Sequence, residues 1–112
     1  MSRSSKWIRR SKRWAIYHRD GFRCVYCRAE EGRLTLDHVY PDSGDDATNL
    51  VTACYGCNSA KQDLSLRAWY AKLRKRGLNT KAIGRRVRRL TMKPLDRALG
   101  RRLAKSELPC DD

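Results

Sequence analysis

The sequence predicts a small α+β domain: a two-stranded hairpin packed on one helix, with basic helices on either side. Three observations lead there. Two Cys-x-x-Cys pairs, Cys24/Cys27 and Cys54/Cys57, bracket a stretch of 26 residues. That stretch alternates apolar and polar residues, turns at a cluster of Pro, Asp and Gly, and then resumes. Overall, 26 Lys and Arg stand against 12 Asp and Glu, a net +14 over 112 residues.

The cysteines fix the centre. Two thiolates spaced by two residues reach one ion from a single tight turn. A second pair completes the tetrahedron that structural Zn2+ prefers. A chain of this length is read as one domain, residues 1–112. Such a domain leaves much of its surface unburied, so a metal clamp supplements the core. Five cysteines are an odd number. With four in metal spacing, disulfides are the poorer reading, and Cys110 is read as a spare thiol.

Between the pairs, Arg33 to Val39 alternates well enough for a short strand ending at Tyr40-Pro41. Pro41 to Asp46 is turn chemistry. Asn49 to Cys54 suggests a second strand or a short helical turn, and Asn58 onward opens a helix. The zinc-pinned core is therefore placed at residues 22–64.

Both flanks read as basic and helical. In the arm over residues 1–21, a helix from 5 to 19 gathers Trp7, Trp14 and Tyr17 near one face. It stops at Asp20-Gly21. Arg9, Arg10 and Arg13 are expected on the opposite, phosphate-facing side. His18 is read as a packing or surface histidine outside the site.

The extension over residues 65–105 places Leu66, Trp69, Tyr70 and Leu73 at helical spacing and stops at Gly77. Asn79 or Thr80 caps the next helix, with Ile83, Val87 and Leu90 on its apolar side and Arg85, Arg86, Arg88 and Arg89 elsewhere. Pro94 opens a last short helix, and residues 106–112 read as a frayed tail. A field this one-sided favours polyanions, and nucleic acid is the expected partner. No apolar run reaches membrane-spanning length and no apolar leader segment stands at the N-terminus, so no membrane contact and a cytoplasmic location are expected.

Four motif elements then arrive in order: Cys24-x-x-Cys27, Leu34-x-x-Asp37-His38, Asn49-Leu50 and Cys54-x-x-Cys57-Asn58-x-x-Lys61, with Pro41 and Gly44 between the second and third. Together they resemble the HNH family of metal-dependent nucleases with its ββα-metal core, in the variant with Asn as third motif residue and a four-cysteine zinc knuckle. The resemblance implies DNA cleavage to 5′-phosphate and 3′-hydroxyl ends with a catalytic divalent ion, Mg2+ or alternatively Mn2+ or another transition metal. It assigns Asp37 and Asn58 as ligands of that ion and His38 as general base. Asn49 becomes the residue that braces the loop and orients the histidine, and the four cysteines the separate zinc site. Lys61 is a candidate phosphate contact. Free-standing members of this size resemble those encoded by bacteriophages, some of which assist terminase, so a bacterial host and a packaging partner are implied, with homing and restriction roles left open. A monomer is expected.

The residue types support the same chemistry. A neutral imidazole is available near neutral pH to take a proton from water. Asp37, its neighbour on a strand, faces the other way. A carboxylate and an amide oxygen, with waters, suit Mg2+. Two features depart from the pattern: one glycine, Gly44, stands where many relatives have two, and Asn58 replaces a histidine, which is expected to alter metal preference. The competing reading is a non-catalytic zinc-ribbon protein that binds nucleic acid through its basic arms; a ribosome-associated basic zinc protein is the third.

Overall fold

The computed structural model describes residues 8–106. Its elements run α1 (Arg10–Arg19), β1 (Leu34–His38), β2 (Leu50–Cys54), α2 (Tyr55–Lys61), α3 (Leu66–Lys75), α4 (Thr80–Thr91) and α5 (Arg97–Lys105), with a 3-10 turn at Ala47–Asn49. β1 and β2 pair antiparallel, Leu34 opposite Cys54 and His38 opposite Leu50. The stretch after Asn49 is thus a strand. With α2 behind it, the hairpin gives the expected ββα arrangement.

Alternation along β1 splits the hairpin into two faces, each with its own core. Leu34 and Leu36, with Leu50 across the ladder, pack beside Trp14, Ile16 and Tyr17 of α1 and Leu103 of α5. The other face presents Val51 and Ala53 to Tyr26, Trp69, Leu73, Ile83 and Val87. The stripe Leu66, Trp69, Tyr70, Leu73 is therefore core, as its spacing indicates, with Trp69 and Leu73 fully buried. An edge-on contact between the Tyr26 and Trp69 rings, 5.3 Å between centroids, closes this second core.

The helix ends follow their side chains. Gly21 and Gly77 take positive φ after α1 and α3, and the amides beyond them, Phe22 N and Leu78 N, reach back to Tyr17 O and Leu73 O. Asn79 caps α4 by accepting the Ala82 amide. The last helix starts later than Pro94 indicates, because Asp96 caps it by accepting the Leu99 amide. α1 also starts later, at Arg10. Trp7, Cys110 and the tail from 107 onward lie outside the described residues.

The larger difference concerns α1. Its arginines do not all face solvent: Arg13 is 2% exposed and Arg19 4%. α1 lies between the hairpin and α5, so little of its circumference is left for water. The Arg19 guanidinium donates to Ala47 O at 2.9 Å and Leu50 O at 2.6 Å, and pairs with Asp20 at 2.7 Å. Asp20 in turn accepts the Thr52 amide of β2 at 2.8 Å. Both side chains are all but inaccessible. Asp20→Ala strands a buried guanidinium and a strand amide, so it should lower stability by about 3–5 kcal/mol in denaturant melts. A loss below about 1 kcal/mol, the range of an exposed pair, would contradict this account of α1.

Candidate functional site

The four cysteines converge: their sulfurs lie within 4.8 Å of one another. Cys27 Sγ and Cys54 Sγ are 3.7 Å apart. A disulfide would hold them at about 2.05 Å, whereas the edge of a tetrahedron with Zn–S bonds of about 2.3 Å is about 3.8 Å. The separation fits the ion. Each knuckle aims a backbone amide at its first sulfur, Cys27 N at Cys24 Sγ and Cys57 N at Cys54 Sγ. Arg76 Nη1 donates to Cys57 Sγ at 3.6 Å. A hydrogen bond from Cys57 draws the Cys24 thiol down to about 4, while the same contact pushes Cys57 up. One negative charge is already favoured in the cluster, and a divalent ion would deprotonate the rest.

Asp37 points to the α2 face of the hairpin and is 4% exposed. Its Oδ2 accepts the Tyr26 hydroxyl at 2.5 Å, and its Oδ1 lies 3.4 Å from Lys61 Nζ. Burial pushes the carboxyl above its ordinary value, more than the Lys61 ammonium and the Tyr26 hydroxyl draw it down. Lys61 is 1% exposed and donates to His38 O at 2.8 Å. It is not the surface phosphate contact expected: it reaches inward because a buried carboxylate and a strand-end carbonyl both lie within range. Asn58, one helical turn before Lys61, donates its amide to Thr35 Oγ1 and Leu36 O, which leaves Oδ1 uncommitted. Asp37 and Asn58 thus share the seam between β1 and α2. Each carboxylate oxygen carries one near partner and retains a lone pair. A carboxylate and an amide oxygen form an all-oxygen donor set, which fits a hard divalent cation.

His38 lies on the opposite face, toward α1. Its Nε2 meets Asp45 Oδ1 at 2.6 Å, and Lys12 Nζ holds the Asp45 carbonyl at 2.6 Å. Asn49 braces the intervening loop: its Oδ1 accepts the Tyr40 amide, and its Nδ2 donates to Tyr40 O and Gly44 O. Gly44 sits at φ 87°, a conformation that suits its lack of a side chain. The sequence reading missed Asp45 as the partner of His38. The only signal was a run of turn acids, which does not say which of them faces an imidazole.

The expected DNA-facing arginines divide. Arg9, Arg10, Arg85, Arg88 and Arg89 are exposed. Arg13 is buried within α1, and Arg86 is half-buried, donating to Val25 O of the first knuckle at 2.6 Å. His18 is exposed, its ring edge-on to Phe22.

The buried Asp37–Lys61 pair yields a pH signature. Because the folded carboxyl titrates above its unfolded value of 3.8, the folded chain binds more protons in that window and loses stability as pH rises through it. Lys61→Met removes the opposing charge and moves the carboxyl further up. The expected cost in magnesium-free buffer is about 3–5 kcal/mol at neutral pH, shrinking in acid as the carboxyl takes up its proton. An equal loss at neutral and acid pH would contradict the pairing.

Residues 24–64 match the model of the HNH endonuclease family. No curated protein and no solved structure matches the chain. The matched span begins at the first knuckle cysteine and runs through β1, β2 and α2, so it contains the sulfur cluster, Asp37, His38, Asn49 and Asn58. No helix among the described residues is long and apolar enough to cross a membrane. What the chain shares with that family is thus the stretch from the first knuckle to just past the end of α2.

Proposed function

We propose that this protein is a DNA endonuclease that hydrolyses phosphodiester bonds to 5′-phosphate and 3′-hydroxyl ends. The observation that carries the reading is the family match over residues 24–64, with an imidazole at the end of β1 and two oxygen donors at the β1–α2 seam. Asp37 and Asn58 would hold a divalent ion, Mg2+ by donor chemistry, which supplies charge to offset that gathering on the cleaved phosphate. The cysteine cluster would hold Zn2+ and serve structure alone, since thiolates suit soft metals.

His38 acts as general base. Asp45 accepts the Nε2 proton, so Nδ1 carries the lone pair. Water gives a proton to Nδ1 as its oxygen bonds to phosphorus; the bond from phosphorus to the 3′ oxygen breaks, and that oxygen takes a proton from solvent. Asn49 keeps the Tyr40–Gly44 loop closed, which carries Asp45 toward the ring. Exposed Arg9, Arg10, Arg85, Arg88 and Arg89 supply phosphate contacts. By resemblance to small free-standing members of the family, we extend the proposal to a monomer that acts beside terminase in the cytoplasm of a bacteriophage's host.

A non-catalytic zinc module is the second reading. One observation favours it: both Asp37 oxygens already face partners inside the fold. Plasmid nicking with Mg2+ separates the two. The wild-type chain is expected to nick. His38→Ala is expected to bind DNA unchanged in a shift assay and to lose about 100-fold or more in rate, the usual contribution of a general base. Equal nicking by both proteins removes His38 from the mechanism, and no nicking by the wild type favours the binding module.

A further inference from the structure

α5 lies hard against α1, and Gly100 is what lets it. A side-chain carbon at that position would stand 2.5 Å from Ser11 O and 2.8 Å from the Ala15 side chain. Where the two helices meet, a cavity of about 210 Å3 is lined by Arg9, Ser11, Lys12, Ala15, Arg97 and Arg101. Arg97 and Arg101 stand four residues apart on α5 and project from one side, while Arg9 is the N-cap residue of α1 and Lys12 lies in its first turn. No carboxylate lines the cavity. Arg9, Arg97 and Arg101 have no acidic partner among the described residues. Lys12 donates to a neutral carbonyl, that of Asp45.

Three guanidinium groups and an ammonium around one recess repel one another, and the repulsion is relieved by an anion with several acceptor oxygens. Guanidinium forks match phosphate oxygens in pairs. Position narrows the ligand further. Lys12 holds Asp45, whose carboxylate holds the His38 ring, so Lys12 belongs both to the cavity and to the loop behind the imidazole. The recess therefore adjoins the loop that holds the imidazole.

We propose that the α1–α5 cavity binds a backbone phosphate of the DNA strand cleaved beside His38, a phosphate neighbouring the one cleaved. The assignment rests on the endonuclease reading for its ligand and on the cavity's own residues for its place. Those residues position the strand and take no part in bond breaking.

The test compares two double variants that remove equal charge from exposed positions. Arg97→Gln/Arg101→Gln empties the cavity wall; Arg67→Gln/Arg102→Gln alters α3 and α5 outside it. Duplex DNA affinity is measured across a salt series without added divalent metal, after circular dichroism has matched the folds. The cavity variant is expected to bind about tenfold more weakly, with a slope of log affinity against log salt shallower by about 0.9, the share of one phosphate. The other is expected to change by less than about twofold, as scattered surface charges do. Equal losses in the two variants, or no loss in the first, overturn the cavity as a phosphate site while leaving the nuclease reading standing. A wild-type chain that fails to bind DNA removes both. A melting temperature raised as much by millimolar inorganic phosphate as by duplex would mark a free-anion site and overturn the strand assignment.

Discussion

Two strands of five residues each cannot hold a register in water by themselves, yet the whole site depends on that register. A slip of one residue would exchange the faces of every side chain on β1. Asp37 would leave the α2 seam and His38 would leave the loop of Asp45. The chain prevents this from both sides. On the α1 face, Asp20 holds the Thr52 amide and Arg19 holds Leu50 O. At the other end of β2, Cys54 belongs to the ladder and to the sulfur cluster at once. The Val25 amide of the first knuckle also bonds Thr52 O, which ties that knuckle to the outer edge of β2.

The positive charge does two different jobs. Arg19, Lys61 and Arg86 turn inward and satisfy backbone carbonyls that the short hairpin and its loops leave open. A structure with so little sheet has few other donors to spend there. The remaining surplus sits outside, on α1, α4 and α5, flanking a core that keeps its carboxylates. This division explains why a net charge of +14 can coexist with a site whose buried group is an acid.

Much of this was legible in the sequence. The Cys-x-x-Cys spacing placed the sulfur cluster, the alternation from Arg33 to Val39 placed β1, and the helical stripe around Trp69 placed one core. The opposite orientations of Asp37 and His38 follow from a strand alone. What the sequence did not disclose was the fate of individual charges. Arg13 looks like any other basic residue of a basic arm and Lys61 like a surface lysine of a helix, and only tertiary packing decides that they are enclosed. Asp45 was one acid among several in a turn, and Asp96, closer to the helix than Pro94, set where α5 begins. Enclosed charges and turn contacts of this kind leave no periodic trace.

The central claim is that the cysteine-held ion fixes the hairpin register and thereby sets Asp37 and His38 on either side of one strand. Hydrogen exchange of the β1 and β2 amides, before and after stoichiometric removal of the metal, tests it most directly. The account predicts one zinc per chain and slow ladder amides in the loaded protein, with protection at Asp37 and Val51 lost once the ion is withdrawn. Ladder amides that stay equally protected without the metal would contradict it.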